Sequence, residues 1–187
     1  MDLARKTDGI YVSQRKYTLD LLQEIGMLGC KAANTPMESV IKSNFKEGPL
    51  VDKDSYQSLV GKLIYLTHTR PDIGFFVNMT SRYMTSPTEV HMKAVNRILQ
   101  YLKGTPGKSL HFKKNSNRGI EVYTDSNWTG YTSDRNSTTG YCSFGTITID
   151  HVPSCNQTAG VLTKALPINT YENIRSKLGM IDIYHPD

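Results

Sequence analysis

Two carboxylates stand where alternating stretches end, Asp125 after residues 120–124 and Asp150 after residues 138–149. His151 and Cys155 follow at i, i+4, the spacing of a helical metal-ligand pair, but Pro153 between them disfavours a helix and no second ligand pair accompanies them. Asp150 therefore reads as a turn residue. Cys30, Cys142 and Cys155 are odd in number and far apart, which suits reduced, buried or chemically idle thiols better than a disulfide framework or a zinc site. The five histidines read as surface or hydrogen-bonded residues.

Positive charge is the larger chemical signal. The net charge is +5, yet residues 60–120 alone hold ten Lys or Arg (Lys62, Arg70, Arg82, Lys93, Arg97, Lys103, Lys108, Lys113, Lys114 and Arg118) against Asp72 and Glu89, so that segment is +8 and the remainder −3. Such an excess can follow a nucleic-acid backbone by replacing its condensed counterions, or can simply be a solvated polar face. With 187 residues and 38% hydrophobic content, the chain can bury the core of one ordinary domain or two small ones. Residues 73–79 form the longest apolar stretch, interrupted by Gly74 and Asn78, well short of the roughly 20 residues that cross a bilayer. The charged N-terminus has no apolar stretch behind it, so a signal or transit peptide is not expected and the expected location is intracellular, cytoplasmic or nuclear, not secreted.

The elements that must position these groups follow from periodicity. Residues 9–13 read as a strand, and Tyr17, Leu21, Leu22, Ile25 and Leu28 as a helix stopped by Gly26 and Gly29. Residues 30–54 carry Pro36, Gly48 and Pro49 without a period and read as a long surface connection. Tyr56, Leu59, Val60, Leu63 and Ile64 predict one apolar helix face, broken at Arg70-Pro71-Asp72. Pro71 opens a further helix with Ile73, Phe76, Val77, Thr80, Tyr83 and Met84 as its stripe. Ser86-Pro87-Thr88-Glu89 reads as a capping box for the next, which buries Val95, Ile98, Leu99 and Leu102 and stops at residues 104–107. Alternation then replaces helical spacing. Leu110 and Phe112, a turn at residues 115–119, and Ile120, Val122 and Thr124 predict a hairpin, and residues 138–149 a second, within one small antiparallel sheet. Residues 158–165 and 171–178 are candidate short helices.

Read as strings, these segments resemble the Ty1/copia-type retrotransposon Pol polyprotein of plants over nearly the whole chain. The matching strings, in the family's order, are Gly9-Ile-Tyr-Val-Ser-Gln-Arg-Lys-Tyr17, Leu59-Val-Gly-Lys-Leu-Ile-Tyr65, Thr69-Arg-Pro-Asp-Ile73, Arg97-Ile-Leu-Gln-Tyr-Leu-Lys-Gly-Thr105 and Tyr123-Thr-Asp-Ser-Asn-Trp128. Arg135-Asn-Ser-Thr-Thr-Gly-Tyr-Cys142, His151-Val-Pro-Ser154 and Leu162-Thr-Lys-Ala-Leu166 continue it.

The resemblance implies an α+β chain in two parts. Residues 1–107 would be a mostly helical thumb and connection remnant of reverse transcriptase, and residues 108–187 an incomplete ribonuclease H-like antiparallel sheet. The family's polymerase aspartates lie upstream of the position of Gly9 and have no counterpart here. Ribonuclease H holds two metal ions with four carboxylates. Asp125 matches the first. The segments bearing the second and third are missing between Ile149 and His151, and Gly160 stands at the position of the fourth. One carboxylate cannot position two cations, so Asp125 is expected to be vestigial and the chain non-enzymatic, with no metal or other cofactor, although the ancestral enzyme would use magnesium. The resemblance also turns the basic segment towards nucleic acid, with Lys62, Arg70, Arg97, Lys103 and Lys108 as the expected contacts to an RNA–DNA hybrid or other nucleic acid; no membrane partner is expected. Loss of the middle of the domain leads to a further expectation, that residues 158–187 pack loosely and the isolated protein is marginally stable.

Overall fold

The computed structural model describes residues 1–37, 48–114, 120–127, 138–145, 152–153 and 157–183. Strands β1 (Asp2–Lys6) and β2 (Gly9–Ser13) precede helices α1 (Arg15–Glu24) and α2 (Lys53–Thr67). A 3-10 turn, Pro71–Ile73, leads into α3 (Gly74–Ser81), and α4 (Glu89–Gly104) follows. Strands β3 (Lys108–Lys113), β4 (Ile120–Asn127) and β5 (Thr138–Gly145) come next, then a second 3-10 segment (Thr158–Leu162), α5 (Ile168–Lys177) and β6 (Met180–Asp182). The chain is thus mixed helix and antiparallel sheet, the α+β class expected.

Helix α2 begins where the Asp52 carboxylate accepts the Ser55 amide at 2.8 Å, satisfying one of the amides a first turn leaves orphaned. Tyr56, Val60 and Leu63 are fully buried, as the spacing predicts, and Leu59 half-buried; Ile64, the fifth residue of the expected stripe, is 41% exposed. At 3.6 residues per turn, Ile64 sits about 80° round the axis from Tyr56, and Leu66, about 80° the other way, is buried in its place. Beyond the Pro71 turn, α3 buries Phe75, Phe76, Val77, Met79 and Thr80, almost its whole circumference, and so occupies the middle of the helical layer.

The next helix starts later than the capping-box reading placed it. Thr88, not Ser86, is the N-cap, and the reciprocal partner is His91, whose Nδ1 accepts the Thr88 amide at 2.9 Å. The reason is tertiary. Pro87 accepts the Val51 amide, Glu89 donates to the Pro49 carbonyl, and Leu50 bridges to Thr88, so residues 86–88 are held extended against the end of the connection. The helix then buries Val95, Ile98, Leu99 and Leu102 completely and ends at Gly104, as expected.

Strand pairing departs furthest from the sequence reading. Strand β3 does not form a hairpin with β4: it lies antiparallel between β2 and β6 in a four-stranded sheet of order β1-β2-β3-β6, while β4 and β5 pair with each other in a separate two-stranded sheet. The turn at residues 115–119 and the end of the second expected hairpin, residues 146–149, lie outside the described residues. Alternation in 108–113 was the right signal, but it names a face and not a partner. The face is set by the row Leu3–Val12–Leu110–Met180, in which burial deepens from β1 to β6 as the sheet passes under the helices. Gly179 makes the last pairing possible. Its φ of +70° is left-handed, its carbonyl accepts the His111 amide at 2.8 Å, and a Cβ on it would stand 2.9 Å from the His111 carbonyl oxygen.

Residues 158–180 are therefore not loosely packed. Val161, Tyr171, Ile174, Leu178 and Met180 share one hydrophobic core with Leu22, Leu63, Phe76, Ile98 and Leu99 of the helices before them. The C-terminal segment and β3 thus pack as part of the N-terminal body, across the boundary drawn after residue 107.

A polar network sits inside that core. The Asp72 carboxylate accepts Nε and Nη2 of Arg70 at 3.0 and 2.8 Å, and the Tyr101 hydroxyl of α4 at 2.6 Å. Arg70 also donates to the carbonyl and hydroxyl of Thr105, at 2.9 and 2.8 Å. From α5, the Tyr171 hydroxyl donates to the Asp72 carbonyl at 3.1 Å and Arg175 to the Tyr101 hydroxyl at 3.2 Å. Burial works against the charge on Arg70, but the facing carboxylate outweighs it and the guanidinium pKa is raised. Burial, then Asp72, pushes Tyr101 up to about 12, so its hydroxyl remains a donor.

Two outcomes test this packing. Ile174→Ala, a fully buried truncation in α5, is expected to lower the free energy of unfolding by about 2–5 kcal/mol in chemical denaturation; a change below about 0.5 kcal/mol, the scale of surface substitutions, would mean that α5 is not seated on the core. Arg70→Met or Asp72→Leu alone leaves a buried partner charge and should cost about 3–5 kcal/mol, whereas the double variant should cost less than the worse single. Additive losses would refute the pairing.

Candidate functional site

The metal-site expectation rests on Asp125 and its missing companions. Asp125 lies on β4, directly opposite Gly140 of β5. Gly160, at the position where the family resemblance places a fourth acid, lies in the 3-10 segment, is buried, and belongs to an element packed against both β4 and β5. The backbone thus brings Gly160 beside the strand that carries Asp125. Among the described residues, no group of three or more His, Cys, Asp or Glu could hold a metal ion. Asp150, His151 and Cys155 lie outside the described residues.

The five cations expected to contact nucleic acid are dispersed. Arg70 is the clearest correction, since its side chain is interior and four of its five N–H groups donate to Asp72 and Thr105. Lys62 is half-buried and ion-paired with Glu24, tying α2 to α1. Arg97 is half-buried, and its Nε donates to the Thr35 carbonyl at 3.1 Å. Lys103 is half-buried in the last turn of α4, where it complements the helix dipole, and six residues from Arg97 it points about 120° away round the axis. Lys108 begins β3 and lines a cavity of about 370 Å³ shared with Glu172, Arg175 and Asp182, so its surroundings carry both signs of charge.

Sequence reasoning missed a denser cluster at the end of the four-stranded sheet. Pairing sets Lys6 opposite Gly9 and Gly9 opposite Lys113, so both lysines share one face; Arg5, Ile10 and Phe112 form the adjoining row on the other. Arg5, Lys6, Lys113 and Lys114 are all exposed, as is Phe112 at 58%. Aromatic contacts hold the end in shape. Tyr11 stacks on His111 at 4.2 Å with the rings 6° apart, the Lys6 ammonium lies 4.9 Å over the Tyr11 ring, and the Tyr11 hydroxyl donates to Asp8 Oδ2 at 2.5 Å. That hydrogen bond holds the Asp8 carboxyl below its ordinary range. The only pointer in the sequence was Lys113-Lys114, since Arg5 and Lys6 join it through a pairing that spans about a hundred residues of chain and leaves no local signal.

No family model matches the chain, and neither does any solved structure. Curated relatives do match. The chain is 42% identical over 142 residues to the retrovirus-related Pol polyprotein from transposon RE2 of Arabidopsis thaliana, covering 75% of this chain and 10% of that polyprotein. Against the corresponding polyprotein from transposon RE1 it is 41% identical over 142 residues, again 75% of this chain and 10% of the relative. An uncharacterized mitochondrial protein of the same plant is 40% identical over 136 residues, 73% of this chain and 57% of its own length. The chain thus spans about a tenth of the Pol polyproteins it matches, and among its described residues no helix is long and apolar enough to cross a membrane. Identity at this level over three quarters of the residues places the chain in the family of copia-type retrotransposon Pol polyproteins.

Proposed function

We propose that these 187 residues correspond to the thumb, connection and ribonuclease H portion of a copia-type Pol polyprotein, and that as they stand they perform no catalysis. The carrying observation is Gly160. It stands where the family resemblance puts a fourth acid, in an element packed against the Asp125 strand, and this supports reading the position as one that has lost its carboxylate. Hybrid cleavage through two metal ions needs ligands on both cations, each also offsetting their mutual repulsion, and Asp125 alone cannot supply them. The complete polyprotein's work would be RNA-templated DNA synthesis and removal of the RNA strand, and the part proposed here is the frame that such chemistry is built upon, in the cytoplasm or nucleus.

A second reading, a residual nucleic-acid-binding module, is favoured by the exposed cations and Phe112 at the sheet end. It requires no metal and no carboxylates, only charge and stacking surface.

Incubated with an RNA–DNA hybrid and either magnesium or manganese, the purified chain is expected to leave the RNA strand intact, and Asp125→Ala to behave identically. Metal-dependent cleavage that disappears in Asp125→Ala would overturn the non-catalytic reading.

A further inference from the structure

We propose that β1 is a self-pairing edge, through which two copies of this chain associate about a twofold axis at Ala4 and join their four-stranded sheets into one.

Hydrogen-bond parity sets which backbone groups are on offer. The Asp8 carbonyl accepts the amide of Lys114, just beyond β3, at 2.8 Å, so the even-numbered residues of β2 turn their backbone groups to β3 and the odd-numbered ones to β1. Gly9, Tyr11 and Ser13 therefore exchange bonds with Lys6, Ala4 and Asp2. The amides and carbonyls of Leu3 and Arg5 point the other way. They leave the sheet at its margin, since β1 is outermost in the order β1-β2-β3-β6. All five residues of β1 are exposed, Leu3 by 59%. Pairing with β2 runs unbroken from Asp2 to Lys6, with neither bulge nor proline to disturb the edge. Such an edge is a template for another strand.

Edge cations such as Arg5 and Lys6 ordinarily repel that strand, but here the same five residues carry the answering acid. Across the new edge, only Leu3 and Arg5 can exchange bonds, so each must oppose Leu3 or Arg5 of the second copy. With the axis at Leu3, Asp2 meets Ala4 and its charge is wasted; with the axis at Arg5, the two guanidinium groups meet head on. The axis at Ala4 avoids both. Leu3 then exchanges both bonds with Arg5 of the second copy and Arg5 with its Leu3, about four hydrogen bonds in all, and Asp2 stands opposite Lys6 twice. These are non-hydrogen-bonded pairs, with Cα atoms about 4.5 Å apart, where opposite charges support pairing. On the other face the aliphatic stem of Arg5 covers the exposed Leu3.

Both charges can answer. Among the described residues no ion pair occupies Asp2, and Lys16, whose charge Asp2 influences, is already bonded to Asp20 at 2.7 Å. Lys6 lies 4.9 Å over the Tyr11 ring, an exposed contact that its flexible stem can exchange for a carboxylate. The contact uses the same patch on both copies and so closes at two. Its area is small, which makes the dimer a weak one that forms as concentration rises.

Sedimentation velocity of the full chain over about a hundredfold range of concentration tests the edge. Wild type is expected to pass from monomer to dimer, less readily at high salt. Asp2→Lys alone sets Lys opposite Lys6, and Lys6→Glu alone sets Glu opposite Asp2; each should weaken dimerisation about tenfold or more. Mixing the two variants restores an opposite pair at both positions, and the mixture should dimerise within about threefold of wild type. Leu3→Pro removes an outward amide and should abolish the dimer. Melting temperatures at low concentration should stay near wild type, these side chains being exposed and the Leu3 amide facing off the sheet. A wild type that is monomeric throughout, leaving the edge to some other strand, overturns the proposal. So does a dimer that Leu3→Pro leaves intact, since another surface then holds it. A mixture no more dimeric than either variant alone overturns the register at Ala4, and open-ended oligomers overturn the twofold.

Discussion

The fold depends on a charge pair that water does not reach. Arg70 and Asp72 are both within the protein, and taking two ions out of water costs several kcal/mol each unless hydrogen bonds replace the lost solvent. The replacements are the carbonyl and hydroxyl of Thr105 and the Tyr101 hydroxyl of α4, and α5 braces them, Tyr171 donating to the Asp72 main-chain carbonyl and Arg175 to the Tyr101 hydroxyl. Pro71 makes the pair possible by ending α2 and opening a 3-10 turn, which sets the two side chains against each other rather than around a helix. Each helix that supplies a partner is thereby fixed in position, and a half-satisfied version of the network would be worse than an apolar core. That is one physical reason α5 is seated on the core although β4 and β5, which precede it, pair in a separate sheet.

The same core also holds the segment around Gly160 without help from Asp125. Asp125 and Gly160 belong to β4 and to the 3-10 segment, elements next to this core and not at its centre. Val161 enters the core one residue after Gly160, so the backbone at Gly160 is held by its neighbour's burial. The packing of this segment therefore rests on Val161 and not on the residue at position 160.

What the sequence made legible was local. Helical spacing located α2, α3 and α4 and named Val95, Ile98, Leu99 and Leu102 as buried; the proline at residue 71 and the glycine after Leu102 marked the right breaks. Errors arose wherever a distant segment intervened. Thr88 became the N-cap because residues 49–51 hold Pro87 extended, and β3 paired with β2 and β6 because Gly179 allows a close approach from the far end of the chain. Strand β1, exposed at every residue, and the three-residue β6 carry too little periodic signal to be seen without their partners. Arg70 was misread for a related reason. A count of cations records charge, whereas only the fold reveals which charge is already answered.

That distinction also orders the basic residues. A cation contributes to recognition only to the extent that its partner in the free protein is water. Lys62 would have to give up Glu24, Arg97 the Thr35 carbonyl and Arg70 a buried carboxylate before touching a phosphate, and each exchange subtracts from the affinity gained. At the sheet end Lys6 lies over the Tyr11 ring, whereas no ion pair among the described residues joins Arg5, Lys113 or Lys114 to an acid. Strands that run out beyond their helical cover carry residues the core does not constrain, and there the chain places four cations and an uncovered phenyl ring. The interior sets which charges are structural; what lies beyond its reach is left to bind.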